Sequence, residues 1–321
     1  MSKRKASEIK EREDGEWSAR YVCDPNAALA ILDAAEKVGA GSKEVYLVCG
    51  EDGITFRAAD GGSTRLLEAL LETPNACILS GKPSPLCFNT ADFALIMKRD
   101  KDTVCCIDLD STKDEISVFF WGDLEAENVF QEILSFNFDE GAHVTRFELK
   151  KFDFSSFPTD KVDVKTGFAL RMPAAKVLDT LRSATVFGAE KLFFEIDVST
   201  ISVETDAGRK FIDETVVAMH SNGRVKTWER LKWASALEKG CRVKYEDSMR
   251  GGSVETFKSA HKKAYSARWA YGIKSLNAAL SSFTRGDLLL CFDRKEGHLL
   301  AKFPVDTNAV ITVLIGADAG E

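Results

Sequence analysis

The sequence predicts an α+β protein that carries one domain twice. Two observations point there. A unit made of one amphipathic helix followed by a tight hairpin occurs four times, two in each half of the chain and in the same order. Repeats of that length are supersecondary modules, and their period constrains the fold. The second observation is bulk. With 321 residues, 45% hydrophobic and 29% charged, the chain can build two ordinary cores.

In chain order, the first 18 residues are charged and aperiodic and read as a disordered tail, so the first domain is expected over 19–148. Ala28-Leu-Ala-Ile-Leu-Asp-Ala-Ala35 places apolar residues at 28, 31, 32 and 35, one face of a helix. After the glycines at Gly39 and Gly41, which suit a helix end, Glu44-Val-Tyr-Leu-Val-Cys49 and Ile54-Thr-Phe-Arg-Ala58 flank a turn at Glu51-Asp-Gly53. The unit returns as Ala174-Ala-Lys-Val-Leu-Asp-Thr-Leu181 with the hairpin Lys191–Ile196 and Thr200–Glu204, and Lys43 matches Lys191 at an offset of 148. A second kind of unit, Thr90–Lys98 followed by Thr103–Asp108 and Glu115–Phe120, has its counterpart in Ser275–Phe283, Leu288–Phe292 and His298–Phe303. Amphipathic helices followed by hairpins occur in any α+β protein, but the shared order and offsets argue for duplication.

A connector over 149–166 separates the halves; Pro158 and its polar residues suit an extended segment, while Phe152, Phe154 and Phe157 suit docking on a surface. The second domain, 167–321, carries an insertion at about 221–265 with Gly251-Gly252 and the tryptophans Trp228 and Trp233, read as a long loop with a helical turn around 226–238. From His220 to Arg268 there are 12 Lys/Arg against 5 Asp/Glu, while the rest of the chain holds 31 against 45. An acidic body with one basic segment does not hold DNA by bulk charge, but it can present cations locally.

Several functions are disfavoured. No apolar run approaches the roughly 18 residues of a membrane span, and Met1-Ser-Lys-Arg-Lys5 is polar where a signal peptide would be apolar. Eight cysteines without Cys-x-x-Cys look like reduced thiols, and four histidines without His-x-x-x-His disfavour zinc chemistry, so no metal or cofactor is expected. Gly39-Ala-Gly41 follows a helix and precedes a strand, the reverse of a dinucleotide site. Gly81-Lys82 is followed by Pro83 where a P-loop needs Ser or Thr. Cys105-Cys106 lies in a strand, with one thiol expected on each side of the sheet. The scattered carboxylates lack the tuning partner that acid–base catalysis requires.

The order of units and several local strings resemble the DNA sliding clamps of the proliferating cell nuclear antigen family over about Tyr21–Gly316. Those strings are Phe88-Asn-Thr-Ala-Asp-Phe-Ala-Leu-Ile-Met-Lys98, Phe154-Ser-Ser-Phe-Pro158 with Phe168-Ala-Leu-Arg-Met-Pro173, and Tyr271-Gly-Ile-Lys-Ser-Leu276. The resemblance implies two clamp-type domains, each an antiparallel β-frame with two helices on one face. Three subunits would close a ring whose helices line a bore for duplex DNA, bound without regard to sequence. DNA polymerase, other proteins with a clamp-binding motif and a clamp loader are the implied partners. No catalysis is implied, and the implied location is the nucleus or a viral replication site.

Carried over position by position, the DNA-facing residues are Lys37, Lys98, Arg99, Lys176, Arg182, Lys274 and Arg285; Leu95, Glu36 and Asp179 stand where the family is often basic. The implied partner-peptide pocket comprises Phe152, Phe154, Phe157, Leu314 and Ile315. Ring-closing edges are implied near Val144–Leu149 and Lys210–Val217. A subunit of a heterotrimeric checkpoint clamp and a viral processivity factor are the related alternatives. An α+β enzyme with a deep, charged pocket is the alternative of another class.

Overall fold

The residues that set the helical periodicity are the residues that fill the core: Ala28, Ile31, Leu32 and Ala35 are buried, as are Leu276, Ala279, Leu280 and Phe283 at the other end of the chain. The computed structural model describes residues 16–39, 42–62, 64–73, 77–98, 104–121, 144–151, 166–196, 200–206, 210–215, 267–293, 297–305 and 309–317. The connector phenylalanines Phe152, Phe154 and Phe157, together with Arg99 and the 221–265 insertion, lie outside the described residues.

The first half runs β1 (Ser18–Cys23), α1 (Pro25–Gly39), β2 (Glu44–Gly50), β3 (Gly53–Ala59), β4 (Arg65–Glu72), β5 (Cys77–Ser80), β6 (Leu86–Asn89), α2 (Thr90–Met97), β7 (Val104–Asp110), β8 (Glu115–Trp121) and β9 (Val144–Lys150). The second runs β10 (Thr166–Pro173), α3 (Ala174–Val186), β11 (Lys191–Ile196), β12 (Thr200–Thr205), β13 (Lys210–Thr215), β14 (Ala267–Gly272), α4 (Ile273–Leu280), β15 (Asp287–Asp293), β16 (Leu299–Pro304) and β17 (Ala309–Ile315). The folded chain begins before residue 19: Trp17 is buried, its indole Nε1 donates to Ser84 Oγ at 3.0 Å, and Ser18 opens β1. The charged segment before it hides this aromatic anchor from a reading based on periodicity.

The halves share one topology. β1, β7, β8 and β9 lie side by side, as do β10, β15, β16 and β17; β4–β3–β2–β6 reappears as β13–β12–β11–β14. Among the described residues every pairing is antiparallel, as short connections favour. β5 pairs with the outer side of β1 and has no counterpart among the described residues of the second half. At the join, β17 pairs with β4 from Ala309↔Leu71 to Ile315↔Arg65 and fuses two four-stranded sets into an eight-stranded sheet. The equivalent strands in the other two sets, β9 and β13, are terminal in their sheets among the described residues.

Strand alternation decides which way each side chain points. In β17, Ala309, Ile311, Val313 and Ile315 enter the main core, and in β4 Leu67, Ala69 and Leu71 do the same. That core runs as one cluster through both halves beneath the helices. At the β2–β3 turn, Gly53 has φ +144°, and a Cβ there would come within 2.0 Å of the Leu71 carbonyl oxygen, so only glycine fits the predicted turn. Helix α1 packs against α2 and against α4, and α4 packs against α3, giving the spatial order α2–α1–α4–α3 in one row.

Candidate nucleic-acid interface

Each helix is anchored by its buried face, so its opposite face is what the row can offer to a ligand. In α2 the start is fixed locally: the Asn89 side chain accepts hydrogen bonds from the amides of Ala91 and Asp92 at 3.0 and 3.1 Å. That cap orients Phe93, Ala94, Ile96 and Met97 inward and leaves Ala91, Asp92, Leu95 and Lys98 outside. On α1 the outward residues include Asn26, Glu36 and Lys37, with Asp33 half-buried. On α3 they are Ala175, Asp179, Arg182, Thr185 and Val186, with Lys176 half-buried, and on α4 Lys274 is exposed.

Six of the seven sequence-derived cation positions are therefore described, and five of them, Lys37, Lys98, Lys176, Arg182 and Lys274, lie on the row itself. Arg285 is exposed in the turn after α4. The same helices carry Asp33, Glu36, Asp92 and Asp179, so the surface is nearly neutral rather than basic. Two of the cations are held by carboxylates: Lys98 Nζ lies 3.7 Å from Asp33 Oδ1 across α2 and α1, and Arg182 Nη1 lies 3.2 Å from Asp179 Oδ1 on one helix. Both pairs are about half exposed or more, and such pairs contribute only about 0–1 kcal/mol. A phosphate could replace either carboxylate at little cost. An arrangement of this kind can meet a polyanion weakly and without base contacts.

The opposite face of the eight-stranded sheet holds a smaller apolar cluster at the join of the halves. Leu66, Cys291 and Leu300 form its buried part, with Ala59, Leu289 and Leu314 against it. Of the two C-terminal pocket residues expected from the sequence, Leu314 lies on this face. Ile315 does not: it is fully buried in the main core under the helices, because adjacent strand residues point to opposite sides. Beside the cluster, Arg57, Glu68, Thr312 and Lys302 occupy facing positions on β3, β4, β17 and β16. Arg57 Nε and Glu68 Oε2 are 2.8 Å apart, and Glu68 and Lys302 are almost wholly buried. Neither feature was legible in the sequence: Arg65-Leu-Leu-Glu-Ala-Leu-Leu-Glu72 has its polar residues at 65, 68 and 72, a helical spacing that conceals a strand with Glu68 buried in it.

The buried thiols provide no obvious chemistry. Cys105 and Cys106 point to opposite faces of β7 and both are buried. The Cys23 and Cys105 sulfurs lie 3.3 Å apart, and this hydrogen bond, with burial, pushes the Cys105 thiol well above its ordinary range. Burial likewise raises Cys87 to about 12. A small cavity in the second half is lined by Met172, Val177, Thr180, Leu181, Leu192, Phe194, Val203, Leu276 and Leu280, without an acid–base pair.

No protein-family model matches the sequence, and no curated protein matches it. Solved structures do. The proliferating cellular nuclear antigen of Entamoeba histolytica superimposes with a TM-score of 0.61 at 12% identity, covering 94% of this chain and 98% of that one. The PCNA2–PCNA3 complex of Sulfolobus tokodaii gives 0.59 at 13% identity, covering 94% of this chain and all of the matched chain. Identity that low carries the architecture and nothing finer. The two-fold repeat, the shared topology of its halves and the single row of four helices are those of the PCNA clamp fold, and this chain has that fold.

Proposed function

We propose that the chain is a subunit of a DNA sliding clamp, a ring that encircles duplex DNA and tethers a DNA polymerase and other replication or repair proteins. One observation carries this reading: the join inside the chain uses β17 and β4, and the equivalent strands β9 and β13 are sheet edges among the described residues. Exposed edges pair readily. Setting β9 of one copy beside β13 of the next repeats the internal join between molecules, continues the helix row, and makes a head-to-tail contact that closes when the rotation does. Three copies, as the clamp resemblance implies, would give a closed ring with all helices inside.

A ring needs no tight grip, since topology holds it on the duplex. The nearly neutral row, with Lys37, Lys98, Lys176, Arg182 and Lys274 spaced along it, is compatible with sliding. Partner peptides would seat on the opposite face, over Leu66, Cys291, Leu300 and Leu314. Two measurements test the proposal. Sedimentation at micromolar concentration should give about three times 35.4 kDa, and clamps loaded on a nicked circular duplex should survive high salt but be lost when the circle is cut. Equal retention on linear and circular DNA would reject encirclement. A ring built from different chains is the second reading, favoured by the likeness to a PCNA2–PCNA3 complex; a monomeric mass with assembly only on addition of a different chain would select it.

A further inference from the structure

Two thiols of the first half meet at a position where the second half has none. β1 pairs with β7 as β10 pairs with β15, and two residues before the helix that follows, Cys23 lies opposite Cys105 while Met172 lies opposite Leu288. All four residues are buried, so the position itself asks only for an apolar side chain. The Cys23 and Cys105 sulfurs are 3.3 Å apart. We propose that this pair is an oxidation site for peroxides, which join Cys23 to Cys105 by a cross-strand disulfide.

The backbone already permits the bond. Directly opposed residues of an antiparallel pair have Cα atoms about 4.5 or 5.5 Å apart, and a disulfide spans about 4.4–6.8 Å. Closing the sulfurs to bonding distance takes a movement of about 1 Å, shared between two side chains. Cys106 is the nearest rival, and it points to the opposite face of β7. Cys23 is the more accessible partner, at 5% against 0%, and it ends β1 just before the exposed Asp24. Its thiolate attacks hydrogen peroxide; the O–O bond breaks, one water leaves and the sulfur becomes a sulfenic acid. The Cys105 thiolate then attacks that sulfur, the S–O bond breaks, and the departing hydroxide takes up a proton as the second water. The two thiols lose two electrons and the peroxide gains them. The hydrogen bond to Cys23, with burial, holds the Cys105 thiol well above its ordinary range, so its thiolate forms only when the strand end opens. The pair therefore passes over brief oxidation and records a sustained one. The finished bond links residues 82 apart in sequence and closes a loop that carries both α1 and α2; a loop of that length restrains the unfolded first half strongly.

Prolonged treatment of the native full chain with hydrogen peroxide, read by mass spectrometry, tests the site. The intact mass should fall by two hydrogens, and digestion should release a peptide linking Cys23 to Cys105. The melting temperature should rise by about 5 °C, and a dithiol reductant should reverse both changes. Cys23→Ala and Cys105→Val, each with one thiol of the pair removed, should show neither the linkage nor the rise. The wild-type measurement stands by itself should either variant fail to fold. A native chain that gains oxygen instead of losing hydrogen, that links other cysteines, or that stays unmodified while the urea-unfolded chain oxidises overturns the proposal.

Discussion

The two halves have the same topology and different surroundings, and the contrast between α1 and α3 separates what the repeat dictates from what position dictates. Aligned on their apolar faces, Ala28, Ile31, Leu32 and Ala35 of α1 match Ala174, Val177, Leu178 and Leu181 of α3, and all eight are buried. The repeat fixes that face. Leu29 is buried whereas its counterpart Ala175 is exposed, and α1 sits between two helices while α3 ends the row. Burial beyond the common face is therefore set by a helix's place in the row. The end helices carry apolar surface, at Leu95 and Val186, that stays exposed among the described residues.

The largest effects should come from the shared face. Phe93 of α2 is fully buried, with ring centroids 6.2 Å from Phe56 and 6.0 Å from Phe88. Phe93→Ala should cost about 3–5 kcal/mol, and Leu276→Ala at the equivalent turn of α4 about 2–5 kcal/mol, both read from urea unfolding. If the one-cluster core makes the halves unfold together, each substitution will shift a single transition seen by every probe. Two separated transitions would show that the halves are coupled only loosely.

The seam between the halves comes next. Glu68 of β4 lies opposite Arg57 on one side and Thr312 of β17 on the other. Glu68→Ala leaves the Arg57 charge without its carboxylate in a mostly buried site. The loss should be about 3 kcal/mol, toward the low end for a broken buried pair because Arg57 keeps some contact with water. Arg57→Met with Glu68→Leu should recover most of it. A double variant as unstable as the single would mean that the polar row, rather than the charge balance, holds β4 to β17.

How much of this was legible beforehand follows the same division. The helix faces, the hairpins and the Gly53 turn were readable because each is local: a period of 3.6 or 2, or one glycine. The doubled order of units gave the duplication, and the clamp resemblance located the edge strands β9 and β13 within a residue or two. Strands such as β1, β5 and β6 were missed, since Ser18–Cys23 and Leu86–Asn89 are short and owe their pairing to distant partners. The side of the sheet occupied by Ile315 was misjudged because alternation has no sign until the strand is docked.

A smaller effect is expected in the β3–β4 turn. The Asp60 carboxylate is partly desolvated, but hydrogen bonds from the Thr64 hydroxyl at 2.6 Å and the Arg65 amide at 2.9 Å, with the Arg65 guanidinium, hold it below the usual carboxylate range. A folded-state value below the unfolded one means that the ionised form stabilises the fold at and above about pH 4, and that this contribution fades as acid protonates the folded carboxylate. Asp60→Asn should lower stability by about 1 kcal/mol at pH 7 and by progressively less toward pH 2.5. Parallel stability curves for the two proteins across that range would exclude this role for Asp60.

The smallest effect tests the comparison of the halves most directly. The equivalent helices α2 and α4 begin differently: Asn89 caps α2 with its side chain, whereas Gly272 opens α4 with no side-chain cap. Gly272 has φ −63° and ψ 131°, an extended geometry close to that of Asn89 at −70° and 122°, so asparagine fits there without backbone strain. Asn89→Ala should cost about 1 kcal/mol, because two amides at the head of α2 lose their acceptor. Gly272→Asn should gain only a few tenths of a kcal/mol, since glycine already tolerates the cap conformation and asparagine adds the acceptor alone. Thermal melts of both variants and of the double variant should show additive shifts, because the two caps share no partner. If Gly272→Asn destabilises instead, the start of α4 is held by its strand neighbour Lys191 on β11 too closely to admit a side chain; the two helix starts would then be equivalent in topology but not in the space around them.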